Sequence, residues 1–402
     1  MGRRTRRFLD ELDTALPDRP FAVELWDGER LPPTNGHAGP TFRATSPDAI
    51  AHVLRAPGQL GLGRAYVSGA LEVDDMDALM GLLATYKPQP IERRETAKLA
   101  ALAAIAAGPR KPPQPPAAEL APRGRRHTSE RDMRAVRHHY DVSNDFFAHF
   151  LDASMTYSCG VWRDGATTLE EAQFAKRDLV CRKLALQPGE RLLDVGCGWG
   201  AMAIHAATRY GVNVVGITLS EPQARLARQR AEEAGVGDKV EIRVMDYRDI
   251  ADGPFDAISS IGMVEHVGAA QIDAYAEILA RLLRPGGRLL NHGIARLRHT
   301  DAEAGPFSER YVFPDAAPLH LSRVQFALER AGFETHHVED FRPDYARTLT
   351  AWLENFEADL EKANRLADPE RVRVWRIYLR AARNGFETGF LSIFQVRCSL
   401  PG

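Results

Sequence analysis

Beyond about residue 170, apolar residues come in short runs separated by longer stretches where they recur every third or fourth position. The runs Arg191–Val195, Asn213–Thr218, Val240–Met245, Phe255–Ser260 and Gly287–His292 predict strands. The stretches Glu171–Leu186, Ala201–Tyr210, Glu221–Ala234 and Gln271–Leu283 predict the helices between them. Such alternation predicts an α/β fold, a mostly parallel, doubly wound sheet with helices on both faces. Ligands of such sheets bind at the carboxyl ends of the strands. Residues 343–400 add helices and a final strand over Phe394–Ser399.

The first 107 residues follow a different pattern. Phe21–Trp26 and Pro40–Ala44 predict two short strands, with Asp27-Gly28 as a turn between them. Asp48–Ala56 and Met76–Tyr86 predict amphipathic helices, and Gly61–Tyr66 a loop running into a helix. A small α+β domain over 1–107 is therefore expected. The prolines of 108–122 stiffen the chain and cannot continue a helix, so 108–126 is expected as a linker before a catalytic domain over 127–402.

Composition narrows the function. The chain is 44% hydrophobic and 26% charged, as in soluble globular proteins, and its 402 residues suffice for more than one domain. Basic and acidic residues number 52 and 54, which gives no reason to expect nucleic acid as a partner. Cys159, Cys181, Cys197 and Cys398 show neither metal-ligand spacing nor a disulfide framework, so no metal is expected and a reducing cytoplasm suits them. The run Leu99–Ala107 is too short to span a bilayer. Thr5-Arg6-Arg7-Phe8-Leu9 faintly resembles a twin-arginine signal, but Asp10-Glu11-Leu12-Asp13 stands where an apolar stretch is required, so export is not expected. Charge is locally concentrated at Arg3, Arg4, Arg6 and Arg7, and again between Arg123 and Arg137. The second cluster reads either as a solvated run or as a contact for anionic lipid or an acidic surface.

The densest chemistry lies at Asp194-Val195-Gly196-Cys197-Gly198-Trp199-Gly200. A strand ends at Asp194, three glycines alternate, and a helix begins at Ala201. Glycines there permit a tight turn and close approach of a ligand to the backbone. The spacing is not that of the dinucleotide fingerprint. The next strand ends in Gly216-Ile217-Thr218-Leu219-Ser220 with Gln223 following, so hydroxyl and amide groups stand where many methyltransferases place an acid against ribose. The third strand delivers Asp246, which reads either as an acceptor for an adenine amine or, like Asp249, as a cap.

Together these motifs resemble the cyclopropane-fatty-acyl-phospholipid synthases and the related mycolic acid cyclopropane synthases. His139-Tyr140-Asp141-Val142-Ser143-Asn144-Asp145-Phe146-Phe147, Met155-Thr156-Tyr157-Ser158-Cys159, Met263-Val264-Glu265-His266-Val267-Gly268 and Tyr311-Val312-Phe313-Pro314 extend the likeness over roughly 130–400. The resemblance implies a Rossmann-like class I methyltransferase that uses S-adenosylmethionine. Tyr157, Ser158, Asp194, Gly196, Gly198, Gly200, Thr218, Leu219, Gln223 and Asp246 would hold that cofactor. The N-terminal unit resembles the extra domain of the phospholipid-acting members, and the resemblance also implies a homodimer.

An isolated alkene is a weak nucleophile and needs a sulfonium methyl donor. Its attack leaves a carbocation, and closing a ring requires a small base that removes a proton from the new methyl while water is excluded. The family uses bound bicarbonate. By resemblance Glu265, His292 and Tyr345 would hold that ion through side chains, and Cys159 and Ile294 through backbone N–H groups. A carboxylate beside an anion implies a shared proton. His292 also reads as a hydrogen-bonded core histidine, and Tyr345 as a pocket cap. His266 reads as structural, and Cys197 as a small packing residue. Trp162, Phe174, Trp199, Phe307, Tyr311, Phe313 and Phe341 are candidates for an apolar tunnel. The expected partner is an unsaturated phospholipid at a bilayer surface, reached by a cytoplasmic enzyme that docks peripherally. A branch-forming methyltransferase on an oleoyl chain, a small-molecule methyltransferase and a non-catalytic lipid-binding protein are the alternatives.

Overall fold

Successive residues of a strand point to opposite faces of its sheet. The computed structural model, which describes residues 2–34, 36, 39–120, 131, 143–298, 305–313 and 318–402, shows this in adjacent leucines. Leu192 and Leu193 are fully buried yet belong to different cores. Leu192 packs with Val214, Ala257 and the helices Leu169–Lys183, Ala201–Tyr210 and Glu221–Glu233. Leu193 packs with Val215, Ile258 and the helices Ile272–Leu282 and Leu321–Arg330. A sheet covered on both faces explains why its strands read as continuous apolar runs.

The chain divides into two compact units. The first comprises Met1–Ala121, Gly305–Val312 and Asp368–Asn384; the second comprises the rest. Two segments of the expected catalytic domain thus belong to the N-terminal unit.

The first unit holds a four-stranded sheet of β1 (Ala22–Glu24), β2 (Arg30–Leu31), β3 (Thr41–Ala44) and β4 (Leu71–Val73), in the order β2-β1-β3-β4. The Asp27-Gly28 turn leads into β2, which the sequence reading missed, while β1 and β3 pair in parallel. Gly61 and Gly63 lie inside a helix, Gln59–Val67, rather than in a loop before one. They are there for packing: a Cβ at Gly61 would stand 2.2 Å from the Ala56 carbonyl, and one at Gly63 2.3 Å from the Phe307 ring. The helix Gly2–Ala15 carries the first arginine run and buries Thr5 and Leu9.

Residues 108–120 contain no helix or strand, as their prolines predict, but they are tied down. Arg110 pairs with Asp48 at 2.9 Å. The Glu119 carboxylate, on a side chain only 4% exposed, accepts two hydrogen bonds from Arg64, both 2.7 Å, and one from Tyr311 at 3.0 Å. Most of the expected linker is therefore part of the first unit's wall. Of the arginines from 123 to 137 only Arg131 lies among the described residues, and the other members of that cluster, His139–Val142 and Pro314 lie outside them.

The second unit holds a seven-stranded sheet of β5 (Arg191–Val195), β6 (Asn213–Thr218), β7 (Val240–Val244), β8 (Phe255–Ile261), β9 (Leu283–Arg296), β10 (Glu334–Asp340) and β11 (Leu391–Ser399). Its order is β10-β11-β9-β8-β5-β6-β7; β5 to β9 run parallel and β11 runs antiparallel between β9 and β10. β5 lies between β6 and β8, so the strand order reverses at its carboxyl end, where a crevice forms. β9 is longer than expected because β11 pairs with it from Ser399–Arg288 to Leu391–Arg296. β10, a polar edge strand, has no apolar alternation to announce it. Among the described residues no helix is long and apolar enough to cross a membrane.

The Arg64–Glu119 pair gives a direct test of what holds the Pro-rich segment. Glu119→Ala leaves the half-buried Arg64 guanidinium without its charged partner and is expected to cost about 1.5–3 kcal/mol. Removing the exposed Arg43–Glu24 pair by Arg43→Ala is expected to cost less than about 1 kcal/mol. Denaturant unfolding of both variants measures the contrast.

Candidate active site

The turn after β5 takes Gly196, Gly198 and Gly200 through φ values of 78°, 54° and 81°, a region closed to most side chains. Nothing lies within 4 Å of where a Cβ of Gly198 would be, so this backbone faces open space. That space is a cleft of about 1260 Å³ including its mouth. Its lining includes Tyr157, Ser158, Asp194, Gly196, Gly198, Thr218, Leu219, Gln223 and Asp246, nine of the ten expected cofactor residues. Gly200 is not part of the lining: its missing Cβ makes room for Ala227, which would be 3.0 Å away.

The polar groups of the cleft are oriented by one another. The Thr218 hydroxyl donates to Gln223 Oε1 at 2.7 Å and accepts from the Ser220 N–H at 3.2 Å. Asp246 caps the short turn Tyr247–Asp249, accepting the Arg248 N–H at 2.9 Å and the Arg248 guanidinium at 2.8 Å. Capping and cleft lining are thus both true of Asp246. Asp194 accepts from the Ser259 hydroxyl at 2.8 Å, while its other oxygen is buried without a partner. Burial pushes its pKa up to about 6.

The loop carrying Tyr157 and Ser158 is held from beneath by the helix Leu169–Lys183. The buried face of that helix includes Gln173, Lys176 and Arg177. Gln173 Nε2 donates to the Ser158 carbonyl at 2.7 Å, Lys176 Nζ to the Ser158 hydroxyl at 2.8 Å, and Arg177 to the Thr156 hydroxyl at 2.9 Å. Lys176 lines the cleft, and burial lowers its pKa to about 7. The sequence reading missed it. The available signal was the helical spacing of polar residues on the face that must turn inward.

None of the five residues expected at the reaction centre lines this cleft: His292 and Ile294 lie on β9, Glu265 packs against it, and Cys159 and Tyr345 each meet the Phe341 carbonyl. Glu265 sits in a turn, Val264–His266, that packs against β9. Gly293 makes this approach feasible, since a Cβ there would meet Val264 at 2.1 Å and Glu265 Oε2 at 3.3 Å. The backbone amides of Glu265 and Ile294 face the Glu265 carboxylate, but burial outweighs them and raises its pKa to about 7. His292 is fully buried, its ring tilted against Phe341 at 5.7 Å. Glu265 Oε2 and His292 Nε2 are both buried without a hydrogen-bond partner.

Phe341 links this group to the other two residues. Its carbonyl accepts the Tyr345 N–H at 2.9 Å and lies 3.8 Å from the Cys159 sulfur. Burial drives the Cys159 thiol pKa well above its ordinary value, which disfavours the nucleophilic thiolate. Cys197, in the glycine loop, is likewise a buried, protonated packing group. His266 lines the cleft with its ring 5.6 Å from Phe313, and burial lowers its pKa to about 4.

The seven aromatics proposed as a tunnel do not form one cluster. Phe174 is exposed, and Phe307 and Tyr311 stack on each other at 4.8 Å within the first unit. A different set is assembled: Tyr157 stacks on Trp352 at 5.1 Å and meets Phe147 at 5.5 Å, and Tyr345 packs on Phe386 at 4.6 Å and Trp352 at 5.9 Å. Tyr345, Leu349, Trp352 and Phe356 repeat at helical spacing along Arg342–Ala358, which was the sequence signal for this wall.

Residues 127–396 match the family model described as mycolic acid cyclopropane synthetase. The chain is 38% identical to a probable fatty acid methyltransferase of Pseudomonas putida over 95% of this chain and 92% of the relative. It is 34% identical to the cyclopropane-fatty-acyl-phospholipid synthase of Escherichia coli, covering 90% and 88%. The solved mycolic acid cyclopropane synthase CmaA1, in complex with SAH and CTAB, aligns with a TM-score of 0.63 and 35% identity over 66% of this chain and 98% of its own. A glycine-cradled cleft, together with buried unpartnered atoms on Glu265 and His292, is therefore found in a chain that belongs to the mycolic acid cyclopropane synthetase family of S-adenosylmethionine-dependent methyltransferases.

Proposed function

We propose that the protein converts the cis double bond of an unsaturated phospholipid acyl chain into a cyclopropane ring, with bicarbonate as the proton acceptor. The observation that carries this reading is the pair of buried, unpartnered atoms, Glu265 Oε2 and His292 Nε2. A buried polar group without a partner costs free energy, and a small polar guest would remove that cost for both. The donor set suits an oxyanion. His292 offers a ring N–H and Tyr345 a hydroxyl, while Glu265, with a pKa near 7, can carry the proton that a carboxylate and an anion must share. Cys159 and Ile294 are assigned backbone N–H roles, the Ile294 amide steadying the Glu265 carboxylate as well.

S-adenosylmethionine supplies the activated methyl group, and bicarbonate a small base. Around them the chain's own groups bind, orient and exclude water. The glycine turn with Tyr157, Ser158, Thr218, Leu219, Gln223 and Asp246 shapes the nucleoside and amino-acid cleft. Gly200 closes that turn against Ala227, and the Asp194 carboxylate offers an acceptor for an ammonium. The Tyr157–Trp352–Tyr345 wall is apolar and electron-rich, so it keeps water from a cationic chain while tolerating its charge.

Access to a bilayer is assigned to the first unit. Arg3, Arg4, Arg6 and Arg7 are exposed on one helix, and each would contribute attraction of about 1 kcal/mol to an anionic surface. The branch-forming reading stays in view because the Pseudomonas putida relative is named a fatty acid methyltransferase rather than a cyclopropane synthase.

Incubation with S-adenosylmethionine and oleoyl phosphatidylglycerol vesicles, followed by mass spectrometry of the fatty acids, tests the product. The expected result is a gain of one CH2 with no alkene. A CH2 gain that retains an alkene, as an exocyclic methylene branch, would establish the other reading. Turnover is expected to fall in carbon dioxide-free buffer and to return with bicarbonate; indifference to bicarbonate would remove the assigned base. Vesicle pelleting is expected to weaken as salt screens the arginines.

Cofactor binding carries its own pH signature. As pH rises through about 6, Asp194 gains its charge, so affinity for S-adenosylhomocysteine is expected to increase. Calorimetric titration should show this slope in the wild type and a flatter, weaker profile in Asp194→Asn. A wild-type affinity that falls across this range would show that Asp194 does not act on the ligand's ammonium.

A further inference from the structure

His292 on β9 and Gln395 on β11 are direct cross-strand partners, so their side chains leave the sheet on the same face. Gln395 is fully buried and its amide lies between two groups. Its nitrogen is 3.3 Å from His292 Nδ1, and its oxygen is 2.6 Å from Lys183 Nζ. Lys183 ends the helix Leu169–Lys183 and is paired with the Glu339 carboxylate of β10. Neither Gln395, Lys183 nor Glu339 stands out in the sequence, and none belongs to the cleft lining or to the anion ligands assigned above.

The donors and acceptors of this row fix one another in order. An ammonium has three donors and no acceptor, so only the amide oxygen of Gln395 can face Lys183. The amide nitrogen must then face the histidine, and it can only donate. Nδ1 is therefore the bare, accepting nitrogen. The ring is neutral at ordinary pH, since burial, assisted by the positive charges of Lys176 and Lys183, holds its pKa well below the usual histidine value. A neutral ring with a bare Nδ1 carries its proton on Nε2. Nε2 is the atom left buried and unpartnered, as is Glu265 Oε2.

We propose that Glu339, Lys183 and Gln395 are positioning residues that lock His292 in the tautomer whose Nε2–H points at the anion site. The proposal rests on the reading that this site takes a small oxyanion. The opposite tautomer would set a lone pair against the anion and two N–H donors against each other at Gln395. The row therefore selects an oxyanion over a cation. It also does so without placing a full positive charge next to the carbocation.

The test reads the ring directly. Full-length protein labelled with 15N-histidine is studied by long-range 1H–15N NMR, with the His292 signals identified by their loss in His292→Gln. The expected wild-type spectrum shows a neutral ring protonated at Nε2, with or without bicarbonate. In Lys183→Met the amide is free to turn over, so the Nε2–H form should lose its exclusivity. With vesicle substrate, kcat of Lys183→Met and Gln395→Met should fall about 10–100-fold, as when the group orienting a ligating histidine is removed. KM for S-adenosylmethionine should stay unchanged, which separates positioning from general damage. A wild-type ring protonated at Nδ1, or full kcat in both variants, would overturn the proposal. Because the tautomer is read without bicarbonate, it decides the relay independently of whether turnover depends on that ion.

Discussion

The site depends on β9 being paired along both edges. β8 holds it in parallel, with Ile261 opposite His292, and β11 holds it antiparallel, with Gln395 opposite the same residue. The His292 carbonyl also accepts the Gly262 N–H at 2.8 Å, just before the turn that carries Glu265. The two residues with orphaned buried atoms are thus positioned by the same stretch of ladder. Glu265 reaches it only because Gly293 has no side chain to obstruct Val264. A strand fixed from both sides has little freedom to slip, since a shift of one residue would turn every side chain to the opposite face.

The second unit buries several titratable groups without full compensation. Asp194, Glu265 and Lys176 are buried, and burial is the leading cause of each pKa shift, to about 6, 7 and 7. These groups weaken the fold on their own, because a charged or polar side chain withdrawn from water must find compensation. Compensation comes from two sources. Some of it is internal: Ser259 for Asp194, Ser158 for Lys176, Gln395 for His292. The rest is left without a partner: Asp194 Oδ2, Glu265 Oε2 and His292 Nε2. The extensive apolar packing of the two faces of the sheet offsets this cost.

Much of this was legible in the sequence, for physical reasons that differ by element. β5, β6 and the helix Ala201–Tyr210 match their expected ends to the residue, because apolar runs bounded by glycines and a polar turn admit one reading. Both ends of β9 and the start of β11 were not legible, since pairing between distant segments extends the two strands past their apolar cores. β10 was invisible because an edge strand need not alternate. The cleft residues were found through the glycine turn and the family likeness. Lys176, Lys183 and Gln395 were not, because a polar residue whose burial is decided by tertiary contacts looks like a solvent-facing one. The aromatic tunnel failed for the complementary reason: Phe307 and Tyr311 are apolar at the right density but serve the core of the other unit.

The central claim is that Glu265 and His292 enclose a small anion beside the cofactor cleft. A crystal structure grown with S-adenosylhomocysteine in bicarbonate-containing solution tests it most directly. The account predicts planar, three-oxygen density within hydrogen-bond distance of Glu265 and of His292 Nε2. Density-free space with Glu265 and His292 hydrogen-bonded to each other, or acyl-chain density filling that position, would contradict it.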